Sequence, residues 1–349
     1  MNIAIDVTHP SHAMMYSGIA RELTARGHDV VIASRVKDVT VEVLSRLDVE
    51  HEVLSTEIGR GRAGQAFELV GRVRRMVRLI RQHDIDTVLA RSPAGCIAAW
   101  LCRRPAIFDT DDGRGAGIHH LLAMPFATVV TSPAALGEEY GPRHVRYPSL
   151  KSLAYLHPKR FTVEPHIHEC LGVSEGERIA LLRLSAYGAS HDRGRSGIGA
   201  PLARRLVDVL SRHAHVIISA EQGGEGELAT SPILMERPDL LSSVLSVASL
   251  VVTDGASVAE EAAVLGTHAF WISDFVGSRG YLAMLEDRYS AVTSFRPGDE
   301  DAACQSVLAA LAKPDGLKHQ AGVARRAILS DHVDLVEWYA NFVEQWAAS

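Results

Sequence analysis

The sequence predicts an α/β protein built from two doubly wound, Rossmann-like domains. Short β-branched runs alternate with helix-patterned segments along the whole chain, the arrangement of βαβ units and parallel sheets. The alternation occurs as two series, parted near residue 150 by a stretch that follows neither period. The length, 349 residues, suits two domains of roughly 100–200 residues each.

The first series reads as strands at "NIAIDV", "DVVIAS", "HEVL", "DTVLA", "PAIFD" and "ATVVT". After the first of them, "MMYSGIARELTARG" sets Ile19 and Leu23 at helical spacing and stops at Gly27, which closes a helix readily. The second series comprises "RIALLRL", "HVIISA", "LVVTD", "AFWIS" and "SAVTSF". Between the series, "YPSLKSLAYLHPKRF" is rich in proline and aromatic residues and reads as a connection lining an interdomain cleft. The closing "HVDLVEWYANFVEQWAAS" puts Val336, Tyr339, Val343 and Trp346 at helical spacing, an apolar face able to pack back on the first domain. The expected boundaries are 1–150 for an acceptor domain, 151–175 for the connection, 176–325 for a nucleotide-sugar domain and 326–349 for the returning helix.

Composition removes several classes. With 47% hydrophobic and 22% charged residues the chain is neither disordered nor fibrous, and a net charge of −6 argues against nucleic acid as its partner. "MNIAIDVTHP" runs straight into a strand instead of a secretory leader, and no apolar run is long enough to span a bilayer. Cys96, Cys102, Cys170 and Cys304 have neither metal-ligand spacing nor the density of a disulfide framework. A soluble cytoplasmic protein with reduced thiols is expected.

The most informative stretch is "TDGASVAEEAAVLG", residues 253 to 266. An apolar strand breaking at Asp254-Gly255 into an alanine-rich helix is a βα turn, where open α/β sheets hold ligands. Ser257 and Glu260 have capping-box spacing, which gives Glu260 a structural task. Glu261 lies about 100° further round the helix and can accept two hydrogen bonds from the vicinal hydroxyls of a ribose. The backbone N–H groups at Gly255, Ala256 and Ser257 suit a diphosphate. A plain helix start with two solvated glutamates is the simpler alternative.

"LRLSAYGASHDRGRSG" is the second candidate, a strand entering a loop dense in glycine and basic residues. Arg183 stands within an apolar strand and needs an anion; His191 and Arg193 can donate to phosphate oxygens, and His191 can move a proton near neutral pH. In the first domain, "DVTHPSHAMM" places Asp6, His9 and His12 at the end of the first strand, with His12 near a helix N-terminus that keeps imidazole neutral and able to act as a base. "DTDDGRG" brings Asp109, Asp111 and Asp112 to the same sheet edge, to orient hydroxyls, to bind a divalent metal, or simply to make a turn. "GRGRAG" fits GxGxxG only literally, because arginines occupy the approach to a pyrophosphate. The following helix has Arg72, Arg74, Arg75, Arg78 and Arg81 on one side and Leu69, Val73, Met76, Val77 and Ile80 on the other, a pattern that can dock on an anionic membrane or be a solvated face over a core stripe. His119-His120, His166/His168 and His213/His215 lack partners at metal-ligand spacing.

On "HPSHAMMYSGIARELTARGHDVVIASR", "YPSLKSLAYLHP", "GASHDRGRSG", "VVTDGASVAEEAAVLGT" and "FVGSRGYLAMLEDRYS", the chain resembles the domain-of-unknown-function family 354 of the two-domain GT-B glycosyltransferase-like superfamily. It is also similar to the GlcNAc transferase that makes the lipid-linked peptidoglycan precursor. That enzyme has a Gly-His turn where Ser11-His12 stand, a basic glycine loop where "GRGRAG" stands, and a Gly-to-Glu spacing matched by Gly255 and Glu261. The non-hydrolysing UDP-GlcNAc 2-epimerases share "EEA…LG" and a His-Arg loop in the position of "ASHDRGRSG", without reproducing "HRREN" here.

These resemblances imply a metal-independent GT-B glycosyltransferase of glycan or glycoconjugate biosynthesis, using a nucleoside-diphosphate sugar, UDP-linked, as co-substrate and no cofactor. Glu261 would hold the ribose. Gly255, Ala256, Ser257, Arg183, His191 and Arg193 would hold the diphosphate, and Asp274 and Arg279 of "SDFVGSRGY" would reach the sugar. His12, or failing it Asp111, would deprotonate a lipid-linked or glycan acceptor. The alternatives are a sugar-nucleotide 2-epimerase with His191 and the aspartates as acid and base, and a catalytically silent subunit recruited to the inner membrane face through the Arg72 to Arg81 helix.

Overall fold

The computed structural model describes residues 1–36, 40–55, 61–111, 113–185, 197–221, 226–278 and 280–347. The chain forms two compact units, one of Met1–Tyr155 with Val333–Ser349 and one of Leu156–His332. Each is a parallel sheet wrapped by helices.

The first unit holds strands β1 (Asn2–Val7), β2 (Asp29–Arg35), β3 (His51–Ser55), β4 (Thr87–Ala90), β5 (Ala106–Asp109), β6 (Val129–Pro133) and β7 (His144–Tyr147). Their order is β3-β2-β1-β4-β5-β6-β7, every pairing parallel. Six of them are the runs expected from sequence. β7 escapes the pattern because "HVRY" is short, lies at the sheet edge and interrupts its apolar residues with His144 and Arg146. Helices α1 (Pro10–Ala25), α2 (Thr40–Arg46), α3 (Gly61–Gln82), α4 (Pro93–Leu101) and α5 (Ile118–Ala123) make the crossovers.

Strand alternation sends side chains to two cores. Ile3 and Ile5 of β1 join the core under α1, and Ala4 joins the one under α3 and α4. α4 is alanine-rich because it packs closely: a Cβ added at Gly95 would lie 2.9 Å from Ala90 Cβ and 3.0 Å from Asp6 Oδ2. On α3 the core stripe is Val73, Met76, Leu79 and Ile80, and the solvent face carries Arg74, Arg75, Arg78 and Arg81. Arg72 departs from the expected basic face. It is 4% exposed and ion-paired with the buried Asp6, since its position turns it toward the sheet instead of solvent.

The second unit holds β8 (Ile179–Leu184), β9 (His215–Ala220), β10 (Leu250–Thr253), β11 (Ala269–Ile272) and β12 (Val292–Phe295), in the order β12-β11-β10-β8-β9 and again all parallel. The short α6 (Leu153–Leu156) spans the divide between the units, so the segment 151–175 is shared between them. Then follow α7 (Ile167–Cys170), α8 (Ala200–Ser211), α9 (Pro232–Glu236), α10 (Leu241–Val247), α11 (Ala256–Leu265), α12 (Gly280–Asp287), α13 (Glu300–Ala312) and α14 (Pro314–Asp331). Gly266 ends α11 at φ 87°, a left-handed closure that glycine adopts without cost.

The last helix, α15 (Leu335–Ala347), lies in the first unit. Asp334 caps it by accepting from Val336 N at 3.0 Å. Leu335, Val336, Tyr339, Ala340 and Val343 form one stripe at helical spacing, each fully buried against the core of α1 and β1.

Both sheets reverse strand order at one place, between β1 and β4 in the first unit and between β8 and β10 in the second. In open α/β sheets the loops leaving the strands at such a reversal point diverge, and ligands are taken in the crevice between them.

Candidate functional site

At the first reversal point the carboxyl edge carries a closed ionic network. Arg91, one residue past β4, donates from Nη1 to Asp109 Oδ2 at 2.5 Å and from Nη2 to Asp111. Lys151 Nζ is 2.8 Å from the other Asp111 oxygen. Asp109 also accepts from Tyr339 OH at 2.6 Å, Thr131 Oγ1 at 3.1 Å and Tyr16 OH at 3.2 Å. The Thr131 contact follows from register, because Asp109 and Thr131 are paired positions of β5 and β6. Two buried carboxylates are thus matched by two cations, the condition on which charges are tolerated in an interior.

His12 belongs to this network. Arg91 can only donate, so His12 Nε2, at 3.1 Å from Arg91 Nη2, is the acceptor and the ring proton resides on Nδ1 toward Thr8 Oγ1 at 3.2 Å. Burial and the neighbouring Arg91 hold its pKa well below the ordinary imidazole range. Neutrality was expected from the helix dipole; burial is the larger cause. Burial opposes ionisation of Asp111, but Arg91 and Lys151 together hold its carboxyl well below the usual carboxylate range. Tyr16 and Tyr339, buried beside Asp109, have phenols pushed well up and stay hydrogen-bond donors. His9 is the N-cap of α1, accepting from Ser11 N. Asp6 lies to one side, engaged by Arg72 and by Ser92 Oγ.

The second reversal point is built differently. Asp254, just past β10, is buried and bridges two segments: Oδ1 accepts from Ser185 N at 2.7 Å and Oδ2 from Ile198 N at 3.2 Å. Its carbonyl accepts from Trp271 Nε1 at 3.1 Å. Burial pushes the Asp254 carboxyl up to about 6 in spite of these donors. Gly255 is the N-cap of α11, supplies no side-chain cap of its own, and donates its N–H to Thr253 Oγ1 at 3.0 Å. A Cβ at Gly255 would lie 3.1 Å from Ser185 Oγ, so the turn presses against the end of β8.

This corrects the capping box. Ser257 lies inside the helix, not at its cap, because Asp254-Gly255 breaks the strand two residues earlier. Glu260 is a buried residue at 3% exposure, and Glu261, one position round the helix, is half-buried. Ala256 and Ser257 sit in the first turn, where N–H groups have no intrahelical acceptor.

Arg183 finds its anion within the protein. Its guanidinium donates to Ser219 Oγ and Glu221 Oε1, each at 3.1 Å, across the β8–β9 pairing. Asp274 lies half-buried in the turn after β11. His191, Arg193, Arg279 and Asp112 lie outside the described residues. Among the described residues no cluster of three metal-ligating side chains is assembled. No helix among them is long and apolar enough to cross a membrane.

Sequence reasoning did not single out Arg91, Lys151, Tyr16 or Thr131, and it placed Tyr339 only on the apolar face of the closing helix. Arg91 carried a usable signal, an arginine directly after the apolar strand "TVLA". Tyr339 reaches Asp109 from 230 residues away, which no local pattern reveals.

No family model matches the chain, and no curated protein matches it. Among solved structures the chain is similar to the glycosyltransferase VinC in complex with dTDP, at 15% identity and a TM-score of 0.67 with 99% of each chain covered. It is similar to Acinetobacter baumannii MurG, at 14% identity and a TM-score of 0.61 over 99% of this chain and 100% of that one. A UDP-GlcNAc 2-epimerase from Neisseria meningitidis bound to UDP-GlcNAc matches at 12% identity and a TM-score of 0.63 over 95% and 99% of the chains. The fold is GT-B. Transferases and epimerases share the GT-B architecture, so at these identities the likeness is one of fold, and the chemistry must be argued from side chains.

Proposed function

We propose that the chain is a GT-B glycosyltransferase that takes a sugar from a nucleoside-diphosphate sugar, UDP-linked, and passes it to a hydroxyl of a glycan or lipid-linked acceptor. The observation that carries the reading is the glycine N-cap of α11, with the half-buried Glu261 on the same helix, at the reversal point of the second sheet. Backbone N–H groups at Ala256 and Ser257 would meet the diphosphate, joined by that of Gly255 only when it leaves Thr253 Oγ1, to which it donates at 3.0 Å, and Glu261 would meet the ribose hydroxyls. Stabilisation of the departing diphosphate by a helix terminus and by cations requires no metal. His191 and Arg193 would supply those cations, and Asp274 and Arg279 would meet the sugar. Arg183 would join them only by leaving Glu221.

On the acceptor side His12 is the base this reading assigns. It is neutral, half-buried and at the carboxyl edge, and its Nε2 lone pair becomes available when Arg91 turns wholly to its two carboxylates. Asp111, held strongly ionised, is a hydrogen-bond acceptor for a hydroxyl but a weak base. That same feature disfavours epimerisation, which would ask a neighbouring aspartate to donate a proton near neutral pH. The resemblance to family 354 and a cytoplasmic site of action, which suits four free cysteines, complete the proposal.

Proton NMR of the protein with UDP-GlcNAc in D2O, without acceptor, tests it. Slow UDP release or ligand broadening with no deuterium at C2 is expected. Deuterium entering C2 would overturn the transferase reading in favour of the epimerase.

A further inference from the structure

One face of the first unit is at once apolar and cationic. Helices α3, α4 and α5 form a layer on one side of the sheet, with α4 packed against both of the others. Large apolar side chains stand out from this layer: Phe67 is 80% exposed, Leu121 71%, Ile118 68% and Trp100 58%, with Val70 and Leu101 about as open. Trp100 is held by an edge contact with Phe126 at 5.3 Å, so its exposed indole is fixed in place. On α3, Phe67, Val70, Arg74, Arg78 and Arg81 recur at helical spacing, and Arg75 is exposed beside them.

Among the described residues of the three helices, acids are nearly absent. Glu68 is the one acid of α3 and is ion-paired with Arg35 at 2.5 Å, and α4 and α5 contain no acid. A protein keeps large apolar groups exposed in a cluster where a partner covers them. A second copy of this chain would set these arginines against one another. An anionic bilayer complements both features, because phosphate headgroups meet the arginines and the acyl boundary takes the phenylalanine, leucine, isoleucine and indole.

We propose that the outer face of α3–α5 docks the protein on an anionic lipid bilayer, with Phe67, Trp100 and Leu121 inserted and Arg74, Arg78 and Arg81 on the headgroups. The inference is independent of the reaction proposed above and concerns the helical layer of the first unit.

Vesicle co-sedimentation of the full chain is the test, using phosphatidylcholine alone and phosphatidylcholine mixed with phosphatidylglycerol. Binding is expected to the mixed vesicles only and to weaken with salt. Brominated acyl chains should quench emission in wild type and not in Trp100→Phe. Arg74→Glu/Arg78→Glu/Arg81→Glu and, separately, Phe67→Ser/Leu121→Ser should each lower the partition coefficient about tenfold or more. These exposed positions leave folding intact, which thermal melts would verify. Absence of binding to mixed vesicles, equal binding by the variants, or concentration-dependent self-association abolished by the same substitutions would each overturn the proposal.

Discussion

The two carboxyl edges occupy equivalent places in two similar sheets and solve opposite problems. At the first, Asp109 and Asp111 are saturated by Arg91, Lys151, Thr131 and two tyrosines, so the charges are spent on one another. At the second, a glycine stands at the N-cap of α11, and Asp254 places its carboxylate on the backbone of Ser185 and Ile198. On the proposed reading the first edge holds its shape and the second takes the nucleotide, which would make the glycine turn and Glu261 stronger functional signals than the aspartates.

The comparison breaks most visibly through Arg91. Arg91→Met leaves two carboxylates buried with one cation, and a loss of about 3–5 kcal/mol in unfolding free energy is expected by denaturant titration. A loss near zero would mean that water, not Arg91, neutralises the edge. Tyr339→Phe removes one donor to a charged acceptor and should cost about 1.5–3 kcal/mol, by the same titration, without altering nucleotide affinity. An unchanged midpoint would show that α15 is held by its apolar stripe alone.

The smallest effects lie in the pH dependence, and the two edges should respond with opposite sign. Asp254 keeps its proton to about 6 when folded against 3.8 ordinarily, so the native state binds more protons between those values and this group's contribution to stability falls as pH rises through the window. Asp111 is lowered when folded, so its contribution is complete above 3.8 and is lost as pH falls through the folded value. Stability curves of Asp254→Asn and Lys151→Met, each compared with wild type, should change slope in those separate windows. A common window for both would contradict the assignment.

Much of the fold was legible because it is written in local periods. Eleven of the strands, all but β7 of the twelve, follow from short β-branched runs. The turn at Gly255 was legible too, since Asp-Gly after an apolar strand is strong local punctuation. Its details were not: spacing alone favoured Ser257 as cap, whereas the helix begins two residues earlier, where Gly255 O accepts from Ala259 N at 3.1 Å. The network around Asp109 depended on contacts between residues far apart in sequence, and Arg72 looked like one more arginine of a solvated face until the sheet showed Asp6 beneath it.

The central claim is that the second edge, not the first, holds the nucleotide, and titration calorimetry of UDP and of dTDP against wild type, Glu261→Ala and Asp111→Asn tests it most directly. The account predicts an affinity lowered about 10- to 100-fold by Glu261→Ala, the loss of a charge-assisted hydrogen bond, and unchanged in Asp111→Asn. Equal affinity in wild type and Glu261→Ala, or a loss confined to Asp111→Asn, would contradict it.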